Sequence, residues 1–323
     1  MKFSPKTADK KLLAYLYSNS REPLSKISKD IKLSREQVKY RINKFEKDNL
    51  IQGYIPLINN NKLGYNIISL VLFKLANNNK LKEFKQKLKS SKNRILTVET
   101  LTKYDIGGLY IFKNEKQRNE YLEELLQENH KNIKEYKILE PYFSEIYPLK
   151  FLDSEKVTPK ILRDYPKEKY KLDEKEKNIL KVLNKNANTK IIDIARKTNL
   201  SAELVVYKLK KLKKENILLG TRAYFNMEKM GYYYSDLLIR LHNFSKKNQE
   251  KLRDFAKKHK NIDSLMFFLG NPNCYMQIFY ESVKEIYQTI NDLKNSFQDE
   301  TIDIEIMPLK NEGEEINILP FLE

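Results

Sequence analysis

Between Ser34 and Lys47 the chain sets cations and amides among apolar residues at helical spacing. Val38, Ile42 and Phe45 recur every three or four residues, so a helix gathers them on one side. Arg35, Gln37, Lys39, Tyr40, Asn43, Lys44 and Lys47 are left on or near the outward face, with Ser34 and Arg41 beside them. Arg and Lys match the acceptors of guanine, Gln and Asn match adenine, and the remaining lysines match phosphates. The chemistry this spacing supports is the reading of duplex DNA rather than bond-making.

The same pattern returns in the second half of the chain at one constant offset. Leu33-Ser34 recurs as Leu200-Ser201, Val38 as Val205, Tyr40 as Tyr207, Gly53 as Gly220, and Gly64-Tyr65 as Gly231-Tyr232. The offset still pairs Ile95 with Ile262 and Pro141 with Pro308, so one architecture is used twice. The second copy differs at the face that matters: Ala202 stands for Arg35, Leu204 for Gln37 and Val206 for Lys39. It keeps or gains Ser201, Tyr207, Lys208, Lys210, Lys211 and Lys214 as candidate DNA contacts. The expectation is a weak sequence reader that holds the backbone, or a helix whose apolar residues face another part of the protein.

Positioning such a face requires a small helical unit. Leu12, Leu13 and Leu16 mark one helix, and Leu24, Ile27 and Ile31 a second. Lys32-Leu33-Ser34 then makes a tight turn in which Ser34 caps the third helix and Gln37 completes a capping box, and Asn49 suits a left-handed stop. After Gly64 and Gly231 the apolar period becomes strand-like, and each repeat reads β-α-β-β-α-β, the ferredoxin-like order. The expected fold class is α+β, with two copies of a winged helix-turn-helix followed by a ferredoxin-like domain. The expected boundaries are 1–60 and 61–152 for the first copy and 171–227 and 228–323 for the second. A linker at 153–170 contains Pro159 and Pro166.

Bulk properties agree with this division. The net charge is +18, distributed as +7 over residues 1–60, +6 over 61–150, +1 over 151–167, +8 over 168–227 and −4 over 228–323. The helical unit of the second repeat is therefore basic and its sheet unit acidic, which points to a polyanionic partner for the helices. No run approaches the roughly 18 apolar residues of a membrane span, and the start lacks the apolar core of a secretory signal, so a cytoplasmic location is expected. The lone Cys274 leaves no disulfide framework, and His130, His242 and His259 are too scattered for a metal site. No cofactor and no catalytic residue is expected, and Gly107-Gly108 reads as a turn or bulge.

The run Leu33-Ser34-x-x-x-Val38-x-x-Arg41-Ile42-x-x-Phe45-Glu46, with Leu50-Ile51-x-Gly53-Tyr54 and Leu63-Gly64-Tyr65, resembles the Lrp/AsnC (feast/famine) transcription regulators. The resemblance covers nearly the whole chain, once per repeat, and implies that each ferredoxin-like segment is a RAM-like domain for effector binding and oligomerisation. It implies double-stranded DNA as partner, an intramolecular pseudo-dimer able to assemble further, and a small-molecule effector such as an amino acid. The family's effector loop carries a Gly-x-x-Asp type motif between the second and third strands. Its nearest counterparts here are Tyr104, Asp105 and Gly107 in the first repeat and Gly270 and Asn273 in the second. Neither copy is complete, and both runs also read as β-turns. Two other classes fit the same architecture: an enzyme resembling the siroheme decarboxylases, and a protein-interaction scaffold.

Overall fold

The computed structural model describes residues 6–153, 159–163, 168–310 and 316–322. The first repeat opens with α1 (Thr7–Asn19), α2 (Leu24–Ile31) and α3 (Arg35–Lys47), followed by β1 (Ile51–Ile58). Its sheet unit comprises β2 (Ile67–Leu75), α4 (Leu81–Lys89), β3 (Arg94–Glu99), β4 (Ile106–Phe112), α5 (Glu115–Glu128) and β5 (Ile133–Leu139). Two further strands follow, β6 (Pro141–Ile146) and β7 (Lys160–Arg163). The second repeat runs through α6 (Glu174–Lys185), α7 (Ile191–Thr198), α8 (Ala202–Lys214) and β8 (Leu218–Phe225). It ends in β9 (Tyr233–Leu241), α9 (Lys246–Lys258), β10 (Ile262–Phe268), β11 (Cys274–Tyr280), α10 (Val283–Ser296) and β12 (Ile302–Pro308).

The first sheet has the order β3-β4-β2-β5, all antiparallel, the ferredoxin-like arrangement. The second repeats it as β10-β11-β9-β12 but is extended by β6 and β7 to six strands. Pairing with β2 ends at Leu139, and Pro141 begins β6. The chain then crosses to the other repeat, where Phe143 pairs with Phe267 and their rings lie 5.5 Å apart. The reciprocal crossing after Pro308 is slighter: Thr100 bridges Leu309, and the Lys310 N–H donates to the Glu99 carbonyl. Part of the segment expected to be a plain linker is therefore β7, an edge strand on β6. Pro166 and the Met1–Pro5 start lie outside the described residues.

The two sheets pack face to face. Leu70, Leu72 and Leu139 of the first meet Leu238, Phe268, Tyr275 and Met307 of the second in one buried cluster. Each such side chain stabilises the pair by roughly 1.5–3 kcal/mol of apolar burial. The helical units are completed by the opposite repeat. Leu12, Leu16, Val38 and Phe45 share a core with Phe225, Met227 and Tyr232, while Ile179, Val205 and Leu212 share one with Ile58. Tyr17 on α1 donates to Asp263 on β10 at 2.7 Å, under the Arg222 guanidinium 3.7 Å above its ring. The single chain thus builds a pseudo-dimer.

Gly107 and Gly108 stand inside β4 rather than in a turn. A Cβ on Gly108 would run into the ring and hydroxyl of Tyr110, so the glycine makes room for that side chain. Gly64 and Gly231 have φ of +85° and +82°, a left-handed conformation that closes the equivalent turn in each repeat.

Candidate nucleic-acid interface

Three short helices place α3 on the surface. The chain leaves α2 through Lys32 in the left-handed region, and the Leu33 N–H donates back to the Ser28 carbonyl. Ser34 Oγ then accepts from the Gln37 N–H at 3.1 Å while Gln37 Oε1 accepts from the Ser34 N–H at 3.0 Å. This reciprocal cap fixes where the helix begins, and Asn49 at φ +52° ends it. Val38 and Phe45 are buried in the core, and Ile42 is partly so.

The opposite side presents Arg35, Gln37, Lys39, Tyr40, Asn43, Lys44 and Lys47, all exposed, with Tyr40 at 68%. The Gln37 carbonyl oxygen is committed to the cap, which leaves its amide N–H groups outward. A recess of about 260 Å³ beside this face is lined by Lys6 and Asp9 at the start of α1 and by Gln37, Tyr40, Arg41 and Lys44. Lys6 was not among the sequence candidates; its nearness comes from how α1 packs on α3, which a motif confined to α3 does not carry.

Three sequence candidates are placed differently from expectation. Arg41 is partly buried and forms an ion pair with Asp9 on α1. Lys208 is only 9% exposed and pairs with Asp173 and, at 3.3 Å, with Glu176. Lys211 lies 3.2 Å from Glu176 and 5.4 Å from the Tyr170 ring centre. Burial alone would raise the Glu176 carboxyl, but the Asp173 N–H, the Tyr170 hydroxyl and both ammonium groups together hold it below the usual range. These cations brace helices against one another, because a carboxylate in a dry helix junction requires a partner.

On α8, Val205, Leu209 and Leu212 are buried while Tyr207, Lys210, Lys213 and Lys214 are exposed or partly so, Tyr207 at 60%. Ser201 caps the helix by accepting from the Leu204 N–H at 3.2 Å. Val206 is neither buried nor fully exposed. The second helix therefore offers a tyrosine and cations where the first adds Arg35, Gln37 and Asn43.

The two helical units are fastened together by backbone pairing. β1 and β8 form an antiparallel ribbon that sets Tyr54 opposite Ala223 and Ile55 opposite Arg222. The Arg21 guanidinium, next to α1, donates to the carbonyls of Ala187 and Thr189 in the second unit. Such a ribbon fixes the separation of α3 from α8 as long as it remains paired.

The expected effector residues are tied into the local structure. Asp105 accepts from Lys74 Nζ at 2.8 Å and from the Leu75 N–H at 2.7 Å. Asn273 accepts from the Leu241 N–H at 3.0 Å and donates to the Leu241 carbonyl at 2.8 Å. Tyr104 is 1% exposed with its hydroxyl on Glu135, and a Cβ on Gly107 would come within 3.0 Å of Leu72. Gly270 has φ +115°, a turn requirement. Of these residues, Asp105 and Asn273 hydrogen-bond to strand ends. His130, His242 and His259 sit on separate elements beside Gln127, Asp303 and Asp292.

Residues 6–52 and 172–218 each match the family described as winged helix-turn-helix DNA-binding. An uncharacterized HTH-type transcriptional regulator of Pyrococcus horikoshii is 29% identical over 126 residues, covering 39% of this chain and 79% of the relative. The HTH-type transcriptional regulator LrpA of the same organism is 34% identical over 84 residues, 24% of this chain and 58% of its own length. Among solved structures, the siroheme decarboxylase NirDL aligns over 98% of this chain and 96% of its own, with a TM-score of 0.62 and 15% identity. E. coli AsnC aligns over 43% of this chain and 92% of its own, with a TM-score of 0.38 and 19% identity.

Proposed function

We propose that this chain, a regulator of Lrp/AsnC type with its unit carried twice in tandem, binds an asymmetric operator through two unequal recognition helices. The observation that carries the reading is the contrast between α3 and α8 on one paired ribbon. Above its buried Val38 and Phe45, α3 exposes Arg35, Asn43 and the Gln37 amide, the side-chain types that discriminate bases. Above its buried Val205 and Leu212, α8 presents Tyr207, Lys210, Lys213 and Lys214, which suit phosphates and a backbone grip. A two-fold symmetric dimer reads matching half-sites; two fused, non-identical helices need not.

The test is selection of bound duplexes from a random pool, followed by footprinting. The reading expects one defined half-site beside a weakly specified one, at a single spacing. A palindromic motif, or no enrichment at all, would overturn it. Binding should also weaken steeply with salt, since the partner's phosphates supply much of the affinity. The site of action on this reading is the cytoplasm, in contact with the chromosome, and further assembly of chains is part of the same proposal.

A second reading is favoured by one observation: the fold likeness to siroheme decarboxylase NirDL extends over nearly the whole of both chains. A fold hosts unrelated functions, so likeness at 15% identity bears on architecture and leaves chemistry to the site. Here the histidines are dispersed, and Arg253 on α9 is engaged with Glu145 at 3.0 Å. We therefore favour the non-enzymatic role. Assay of the purified protein for carbon dioxide release from an added tetrapyrrole carboxylate would decide the matter, catalytic turnover being the result that favours the enzyme.

A further inference from the structure

The pseudo-symmetry relates an open cleft in one half of the molecule to a place that, among the described residues, an apolar cluster fills in the other. In the filled half, Ala14 of α1, Met230 and Tyr232 belong to one apolar cluster, and Phe151 packs on Tyr232 with ring centres 4.3 Å apart. Their counterparts in the other half, at the offset that relates Ser34 to Ser201, are Lys181, Leu63 and Tyr65. There Phe321 lies on Tyr65, ring centres 3.5 Å apart and 15° from parallel, so the aromatic floor persists. The buried alanine, however, has become an exposed lysine. The result is a cleft of about 670 Å³ between the first sheet unit, α6 and the chain's last turn.

Its wall is strongly cationic. Lys113, Lys169, Lys171, Lys177 and Lys181 line it against one carboxylate, Glu174, which pairs with Lys177 at 2.5 Å. Lys113 Nζ stands 5.7 Å from the Tyr65 ring centre. Among the described residues, no carboxylate pairs with Lys113, Lys171 or Lys181. Like charges converging on one cavity repel unless an anion sits among them. Leu63, Leu172 and Leu322 complete the apolar floor.

From this juxtaposition we infer that the cleft is a binding site for a small organic polyanion with a flat apolar body: the anionic groups meet the lysine rim and the body lies against the Tyr65–Phe321 stack. The inference does not depend on the reading of the DNA face. Because the cleft joins the first sheet unit to the second helical unit, occupancy would tie α6 to the sheet.

The experiment uses the full chain and pyrene-1,3,6,8-tetrasulfonate, a flat aromatic tetra-anion, with fluorescence anisotropy as readout. Saturable one-to-one binding is expected, weakened at least tenfold in the double variant Lys113→Ala/Lys181→Ala. It should be unchanged in Lys10→Ala, which removes the lysine equivalent to Lys177 from the filled half. Phe321→Leu should also weaken binding, and inorganic sulfate of equal total charge should displace the probe poorly. The substituted lysines are exposed or partly so, and circular dichroism checks that each variant is folded. Absence of saturation, equal losses in Lys10→Ala and the double variant, or efficient displacement by sulfate would each overturn the assignment.

Discussion

Lys208 Nζ lies 3.3 Å from Glu176 Oε1, in the place that Arg41 and Asp9 occupy in the first repeat. Each repeat therefore braces its third helix against its first with one ion pair, although the cation changes from guanidinium to ammonium. Asp173 and Lys211 join the second pair and turn it into a small network.

This placement separates bracing lysines from those free to meet phosphate. Lys208→Ala should lower stability by about 1–2 kcal/mol, because Glu176 loses a charged hydrogen bond while keeping others. Urea unfolding measures the loss. The salt dependence of DNA binding should stay as in the wild type, and a shallower slope would show that Lys208 contacts the backbone after all.

At the proposed DNA face the two helices should respond differently. Arg35→Ala or Asn43→Ala is expected to cost about 1–3 kcal/mol at one base position and to relax preference there. Lys214→Ala should weaken all sequences alike and reduce the salt slope by about one. Anisotropy titrations on matched and mismatched duplexes at several salt concentrations distinguish the outcomes; indistinguishable behaviour of Arg35→Ala and Lys214→Ala would contradict the division of labour.

Stability should fall as pH rises from about 4 to about 7 through the carboxyl of Asp236. Burial pushes this group up to about 7, against the hydrogen bonds it accepts from Tyr275 at 2.7 Å and Gln277 at 3.2 Å, with the Asp263 charge adding to the rise. A folded-state value above the unfolded one means that the folded chain holds the extra proton between the two. Its advantage is thus present near pH 4 and lost as pH passes about 7, by on the order of 4 kcal/mol at about 1.36 kcal/mol per unit. Asp236→Asn should remove this slope, and denaturation curves of variant and wild type that run parallel with pH would refute the assignment.

The ribbon joining the helical units depends on a glycine. A Cβ at Gly53 would fall 2.5 Å from the ring of Tyr224, its partner across the β1–β8 pair. Gly53→Ala should destabilise by about 1–3 kcal/mol through overpacking, and Tyr224→Val should recover part of that loss in a double-mutant cycle. Additive effects of the two substitutions would show that the ring yields freely.

Much of this molecule was legible along the chain because its determinants are local. Apolar residues at helical spacing placed α3 and α8, Ser34 with Gln37 announced the cap that the structure shows, and Asn49 the left-handed stop. The recurrence of Leu33-Ser34 as Leu200-Ser201, and the change from helical to alternating period, marked out the paired units and the β-α-β-β-α-β order. Other features depend on residues brought together from distant parts of the chain, which no local period encodes. The crossing of β6 onto β10 and the closing of each helical core by the opposite repeat are of this kind. Nearer in sequence, the fates of Arg41, Lys208 and Lys211 were still decided by tertiary contact. From spacing alone they pass for free cations beside a reading face, and packing of the first helix on the third delivers the carboxylates that engage them. Asp105 and Asn273 show the same physics at strand ends, where a buried N–H claims the side chain that a solvent-facing loop would have left for a ligand.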